Sequence, residues 1–307
     1  MIYTVTLNPA VDYVISLDRL SAGQINRTQT EAVVFGGKGI NVSLMLKALH
    51  TESTALGFVA GFTGEAIRAG VEAQGVYTEF IDLPSGFTRI NVKIHAEEET
   101  EINGNGPDIP QAQLDAFLAR LEQLGQGDTL VVSGSVPRTL PKNIYAQIAS
   151  RTEGKGVRLI VDAAGALLQS VLPYHPFLVK PNRQELAALF GASAETDADV
   201  LHLAARLQEM GAQHVLVSMA GDGALLLTAD GAVWKAPAAK GQIVNSVGAG
   251  DSMVGGFLAA LEHGGSLAEA LALGTAAGGA TAFSVGIADH DKVMALHETV
   301  KKEVQKL

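Results

Sequence analysis

Between Thr129 and Leu227 short hydrophobic runs alternate with helical stretches, and that alternation limits the chain to very few architectures. Thr129–Val132, Arg158–Val161, Phe177–Val179 and His214–Val217 are short and almost wholly apolar. Residues 142–152, 183–190 and roughly 197–210 carry helical periodicity between them. Strands that are apolar on both faces need cover on both faces, and intervening helices supply it. The pattern predicts an α/β fold with a doubly wound, mostly parallel sheet flanked by helices. Ligands of such sheets bind outside the carboxyl ends of the strands.

The flanking sequence extends this pattern. Ile2–Leu7, Thr54–Val59 and the β-rich run Val76–Ile81 add strands, with helices over 42–49, 65–74 and 111–124. Residues 61–64 read as a turn. Ala224–Leu227 returns along His214–Val217 through Gly221-Asp222-Gly223, in the manner of a hairpin. Ala232–Ala236 is a last short strand, and helices fill the remainder to Lys306. Two stretches, approximately 11–35 and 87–102, do not fit the alternation. Val11–Leu17, Gln29–Phe35 and Thr88–Ile94 read as a small separate sheet, and Thr88–Ile94 alternates polar and apolar side chains, as a sheet with one open face does. The prediction is one domain over 1–307 with a lid inserted as these two stretches.

Composition narrows the function. A net charge of −10 argues against a nucleic-acid or anionic-membrane surface, so any phosphate site must be built locally. The absence of cysteine excludes disulfides, thiolate metal sites and cysteine nucleophiles. The N-terminal residues lack the pattern of a signal peptide. The uncharged run Ala270–Ala288 is rich in Gly, Ala, Thr and Ser, which suits a tightly packed internal helix better than a membrane span. A soluble cytoplasmic protein is expected.

Gly248-Ala249-Gly250-Asp251 joins a β-branched run to an apolar, small-residue helix read as starting at Asp251 or Ser252. Glycines let the backbone turn tightly against a ligand, and the free amides of a helix N-terminus favour an anion such as phosphate. Asp251, a carboxylate in the same turn, fits a helix N-cap when the motif is taken alone, or a general base beside a phosphoryl group. Gly36-Gly37-Lys38-Gly39-Ile40-Asn41 is not a Walker A loop, because no Ser or Thr follows the lysine. No G-x-S-x-G elbow, no H-E-x-x-H spacing and no G-x-G-x-x-G after the first strand is present.

Gly36–Asn41 and Gly248–Asp251 together resemble the paired motifs of the ribokinase-like, or PfkB, carbohydrate kinases, and Asn182-Arg183-Gln184-Glu185 is similar to that family's Asn-x-x-Glu motif. More narrowly, Thr6-Leu7-Asn8-Pro9-Ala10-Val11-Asp12, Thr88–Lys93 and Val247–Gly256 resemble the branch of 1-phosphofructokinases. The resemblance implies transfer of the γ-phosphoryl group of ATP, with Mg²⁺, to the 6-hydroxyl of fructose 1-phosphate. It implies that Asp251 is the base, with the amides of Gly248, Ala249 and Gly250 facing the transferred group. Asp12, Gly37, Lys38 and Asn41 would bind the sugar. Arg89, and with it Lys38, Arg27 and Arg138, would meet the phosphate already on the substrate. Ser135 and Arg138 lie where the family usually has Ser-Leu-Pro-x-Gly, and here the sequence is Ser135-Val136-Pro137-Arg138-Thr139. Lys180, Asn182, Ser218, Gly221, Gly223 and Ser284 would flank ATP. Glu185 with Asn182 would organise Mg²⁺, although their spacing is equally that of a helix capping box. Asn245 stands where many members have Asp near a monovalent cation, which leaves potassium dependence open.

Four alternatives remain at this point: a tagatose-6-phosphate kinase or 6-phosphofructokinase of the same family, a kinase of unphosphorylated sugars or nucleosides, a non-catalytic nucleotide- or sugar-binding regulator, and a Rossmann-type dehydrogenase. Lys38 and Arg89 speak against the second, Asp251 with Glu185 against the third, and the missing glycine fingerprint against the last. The open edges of the lid imply a homodimer formed through it.

Overall fold

Ten strands form one sheet in the computed structural model, which describes Met1–Leu307. In chain order, β1 (Ile2–Thr6) leads to β2 (Ala10–Ser16), β3 (Thr30–Gly36) and helix α1 (Lys38–Ala48). Next come β4 (Ser53–Val59), α2 (Gly61–Ala73), β5 (Tyr77–Asp82), β6 (Arg89–His95) and β7 (Thr100–Asn103). The alternating region follows as α3 (Gln111–Leu121), β8 (Thr129–Ser133), α4 (Ile144–Thr152), β9 (Arg158–Asp162), α5 (Gly165–Val171) and β10 (Leu178–Val179). It continues through α6 (Arg183–Phe190), α7 (Asp197–Glu209) and β11 (His214–Ser218). The chain closes with β12 (Ala224–Leu227), β13 (Val233–Ala236), α8 (Ala249–Glu262), α9 (Leu267–Ala282), α10 (His290–Glu303) and β14 (Gln305–Lys306).

The strand order is β14-β13-β12-β11-β10-β9-β8-β1-β4-β5, parallel from β11 to β5 and antiparallel from β11 to β14. Period-two alternation sorts each strand between two cores. Val132, Val161, Val179 and Val217 pack with Phe117, Ile144, Leu186 and Leu203 of α3, α4, α6 and α7. Val131, Ile160, Leu178 and Leu216 pack on the opposite side with Met45, Phe257 and Leu271 of α1, α8 and α9. This is the doubly wound arrangement that the alternation predicted. A second, four-stranded sheet has the order β3-β2-β6-β7, and its central pair β2–β6 is parallel. It corresponds to the two stretches that broke the pattern.

Some boundaries differ from the sequence-based expectation. α1 starts at Lys38 rather than Val42, and α2 absorbs the 61–64 turn. α8 starts at Ala249, ahead of Asp251. Each of these first turns is glycine-rich, so intrinsic propensity reads as loop while close packing decides for helix. In α1, a Cβ built on Gly39 would lie 2.5 Å from the Val5 carbonyl oxygen, so the helix starts where β1 leaves no room for a side chain. The short α5 has no predicted counterpart. The last residues form β14, which pairs with β13 through Trp234–Lys306 and Lys235–Gln305, instead of extending α10. The local sequence Gln305-Lys306 carries no strand signal; the open edge of β13 supplies it.

No helix is long and apolar enough to cross a membrane. The uncharged run forms α9 and its C-terminal turn, with α9 buried from Ala270 to Gly278. Its small residues let it approach α8 closely: a Cβ on Gly274 would lie 2.7 Å from the Met253 carbonyl oxygen, and one on Gly256 2.7 Å from that of Leu273. Gly274→Ala is therefore expected to destabilise by about 1–3 kcal/mol through overpacking. Gly125→Ala, where a Cβ meets nothing within 4 Å, should be near neutral. Denaturant titration of both variants checks the pair.

Candidate active site

Gly248 caps α8 with φ 82° and ψ −7°, a left-handed conformation that glycine takes without strain. No side chain caps this helix. Asp251 is its third residue, only 5% exposed, and Asp251 Oδ2 accepts a hydrogen bond from Asn41 Nδ2 at 2.7 Å. The N-cap reading of Asp251 is thus replaced: its carboxylate turns away from the helix amides toward α1. Burial pushes its pKa up to about 6, with the Asp162 carboxylate adding to the rise. Asn41, Lys38 and Lys180 pull the other way.

The register of the sheet assembles the surrounding groups. Thr6 pairs with Ser133 and Ser133 with Asp162, and Val161 pairs with Val179, directly before Lys180. By strand parity Asp162 follows Ile160, and Lys180 follows Leu178, onto the face covered by α1 and α8. Lys38 Nζ lies 3.4 Å from Asp162 Oδ2, and Lys180 Nζ lies 3.3 Å from Asp162 Oδ1. The second contact is an ion pair without hydrogen-bond alignment, so Asp162 Oδ1 has no hydrogen-bond partner; nor has the buried Ser133 Oγ. A Cβ on Gly250 would lie 3.2 Å from Lys180 Nζ, so the turn passes directly against that ammonium group. Burial opposes the charge on Lys38, but Asp162, Asp251 and Glu185 outweigh it and hold its pKa above the ordinary lysine value. Two ammonium groups, two carboxylates and a helix N-terminus therefore converge at the strand ends. This arrangement can bind phosphoryl oxygens and accept a proton.

A second cluster lies on the small sheet. Asn91 Nδ2 donates to Asp12 Oδ1 at 2.8 Å, and Lys93 Nζ stands 3.7 Å from Asp12 Oδ2. Gly36 lies against the same carboxylate, where a Cβ would approach Oδ2 to 3.2 Å, and Gly37 and Lys38 follow directly. Arg89 Nε donates to the Asn8 carbonyl oxygen at 3.2 Å. Burial lowers the pKa of Arg89, and Asp12 partly restores it. Asn8 Nδ2 donates to the Asn105 carbonyl at 3.4 Å, while the buried Asn8 Oδ1 has no partner.

The other sequence-predicted positions fall into place unevenly. Asn182 and Glu185 form a full capping box on α6: Asn182 Oδ1 accepts from Glu185 N at 2.7 Å, and Glu185 Oε2 accepts from Asn182 N at 2.8 Å. The capping role is real, and it leaves Glu185 Oε1 outside that exchange. Ser218 ends β11 and bridges to Asn182. Gly221 sits in the exposed turn Ala220–Asp222. Gly223 has φ 86° and no space for a side chain, since a Cβ would lie 2.0 Å from the Ala236 carbonyl oxygen. Ser284 follows α9 and accepts from Lys292 Nζ at 2.9 Å. Asn245 Oδ1 accepts from Val247 N at 2.9 Å. Arg27, Ser135 and Arg138 are exposed, and neither arginine forms an ion pair. Arg27 lies on the loop that joins β2 to β3 and Arg138 in the turn after β8, and neither forms an ion pair with a member of either cluster.

The profile of the pfkB family carbohydrate kinases matches residues 5–292. The chain belongs to that family. It is 45% identical over 301 residues to a 1-phosphofructokinase of Bacillus subtilis, covering 98% of this chain and 99% of the relative. It is 40% identical to a D-tagatose-1-phosphate kinase of Bacillus licheniformis, covering 95% and 96%. Among solved structures, one described as a putative phosphofructokinase from Staphylococcus aureus superposes with a TM-score of 0.88 at 42% identity, covering 100% of this chain and 98% of that one. The fold is therefore the ribokinase-like fold of carbohydrate kinases.

Asp162, Asn91, Lys93 and Asn8 carry no assigned role in the sequence-based reading, yet they hold the two clusters together. For Asn91 and Lys93 a signal was present: Arg89, Asn91 and Lys93 recur with period two, which places all three on the Asp12 face of the small sheet.

Proposed function

We propose that this kinase transfers the γ-phosphoryl group of ATP to the 6-hydroxyl of fructose 1-phosphate, giving fructose 1,6-bisphosphate and ADP. The observation that carries the proposal is the buried Asp251, held by Asn41 beside two ammonium groups at a helix N-terminus. The sugar O6 forms a bond to the γ-phosphorus as the bond to the bridging β–γ oxygen breaks, and the hydroxyl proton passes to Asp251. The amides of Gly248, Ala249 and Gly250, with Lys38 and Lys180, oppose the charge on the phosphoryl oxygens. Asp12 binds sugar hydroxyls, and Arg89 meets the phosphate on C1. Ser218, Gly221, Gly223 and Ser284 border the nucleotide. The small sheet, as a lid inserted into one domain, brings Asp12 and Arg89 over the strand ends.

No group of three or more His, Asp or Glu side chains is arranged to hold a metal. That suits Mg²⁺, which keeps several waters and takes one or two protein ligands alongside nucleotide phosphates. Glu185, through Oε1, and Asn182 are the residues that would hold it; bound there, it would neutralise charge on the nucleotide phosphates. A second reading, tagatose 1-phosphate as the acceptor, is favoured by the match to the Bacillus licheniformis enzyme. Both substrates are ketohexose 1-phosphates with a free 6-hydroxyl, so they make the same demands of Asp251 and Arg89.

We further propose a homodimer formed through the lid. Val33, Tyr13, Val92 and Ile102 are register neighbours across β3, β2, β6 and β7 and share one face. Val33 is 57% and Ile102 60% exposed, an apolar face suited to a second copy.

Coupled ADP release over fructose 1-phosphate, tagatose 1-phosphate, fructose 6-phosphate, tagatose 6-phosphate and free fructose tests the substrate. The highest kcat/KM should fall on fructose 1-phosphate; a higher value for a 6-phosphate or for free fructose would overturn the proposal. The pH dependence follows from Asp251. Only its ionised form accepts a proton, and its pKa is about 6. kcat/KM should therefore fall as pH drops through about 6, approaching tenfold per unit. A profile level down to pH 5 would contradict the assignment.

A further inference from the structure

Asp162 is a buried charge that the proposed mechanism does not use. Its side chain is 2% exposed at the end of β9, and its neighbours in register and in space are functional groups from four elements. Oδ2 faces Lys38 from the first turn of α1, and Oδ1 faces Lys180, itself 4% exposed, from the end of β10. Tyr145 of α4 also faces it; burial, and then Asp162, push the Tyr145 pKa up, so it stays a neutral phenol that donates to the Gly134 carbonyl at 2.8 Å. Gly134 in turn packs on the Lys38 stem, where a Cβ would lie 3.5 Å from Lys38 Cβ. A buried carboxylate is stable only with such partners, and removing one partner strands the others.

We infer that Asp162 is a positioning residue that tethers Lys38, on the sugar side, and Lys180, on the nucleotide side, against the first turn of α8, and so fixes both the phosphoryl-binding cations and the electrostatic setting of Asp251. The inference rests on the proposed role of Asp251 as base. Asp162 and Asp251 balance Lys38 and Lys180, so the free site is charge-matched before phosphates arrive. The groups facing Asp251 are Asp162 from β9, Lys38 and Asn41 from α1, and Lys180 after β10, while Glu185 of α6 acts on Lys38. α9, packed along α8, carries one ionisable residue, Glu269, in its opposite, first turn.

Asp162→Asn removes a like charge from Asp251 and releases two cations beside it. The acid limb of kcat/KM should move down by about one pH unit. kcat should fall about tenfold to a hundredfold from misplaced cations. In a cycle with Lys38→Met, the double variant should lose less than the sum of the two single losses, because the Lys38 tether is already gone and only that of Lys180 is left to lose. A reduced kcat with an unmoved acid limb and additive losses would mean a merely structural role and overturn the inference. So would an unmoved limb with a raised Mg²⁺ requirement, which would make Asp162 a metal-site residue. If Asp162→Asn does not fold, Lys38→Met alone carries the test: with one cation fewer facing Asp251, the limb should move up, and an unmoved limb overturns the inference. Asp251→Asn, assayed alongside, separates the failures, because near-normal turnover there defeats the base assignment and not the tether.

Discussion

Asp251→Asn should lower kcat by about 10²–10⁴ while leaving the KM values of both substrates close to wild type. The amide has the shape of the carboxylate and can still face Asn41, so binding is preserved and only proton acceptance is lost. The buried position makes the change sharper. Asp251 is 5% exposed, and Asn41 orients it, so water cannot readily take its place as base. Stability should change little or rise slightly at neutral pH. The pKa of Asp251 lies above the ordinary carboxylate value, so its ionised form is the one that burial disfavours; that cost builds as pH rises from the ordinary carboxylate range of about 4 to about 6 and is fully present at neutral pH. Steady-state kinetics with a melting curve for the same sample checks both halves. A variant with near-normal kcat would remove Asp251 from the chemistry.

Arg89→Ala should reduce kcat/KM for fructose 1-phosphate by about tenfold to a hundredfold, the scale of a lost charge-assisted hydrogen bond. The KM for ATP should stay within about twofold, because Arg89 stands on the small sheet and not at the ends of the large one. Arg89 is held by a single bond from Nε to the Asn8 carbonyl, which leaves the terminal guanidinium nitrogens for a phosphate. Arg89→Lys keeps the charge but loses the planar fork, and should fall between wild type and alanine. Weak turnover of free fructose gives the internal control: it should be nearly indifferent to Arg89. Equal losses on fructose and on fructose 1-phosphate would show that the residue shapes the small sheet and does not read the phosphate.

Much of this was legible before the structure. The two-sided apolar strands required a doubly wound sheet, and the stretches that broke the alternation became the second sheet. Gly248–Asp251 was recognisable as an anion turn, but its helix begins at Ala249 because α9 and Lys180 pack where side chains would otherwise stand. That shift moved Asp251 from a cap position into the first turn, which no local propensity encodes. Asp162 was legible as a strand-end residue but carried no role, for a related reason. Its pairing with Lys38 and Lys180 spans distances along the chain that only sheet register brings together. Arg27 and Arg138 rest on charge and resemblance, because both stand on exposed loops where no strand or helix register aims them. Asn182 and Glu185 illustrate the converse, since a capping box and a metal-facing carboxylate share one spacing and the structure satisfies the cap.

The central claim is chemical, and phosphorus NMR of a single reaction mixture reads it directly. With fructose 1-phosphate, ATP and Mg²⁺, a second sugar phosphomonoester, coupled to the C6 protons, should grow in step with ADP while the C1 phosphoester persists. ADP accumulating with inorganic phosphate alone, or a new phosphoester on any carbon other than C6, would contradict the account.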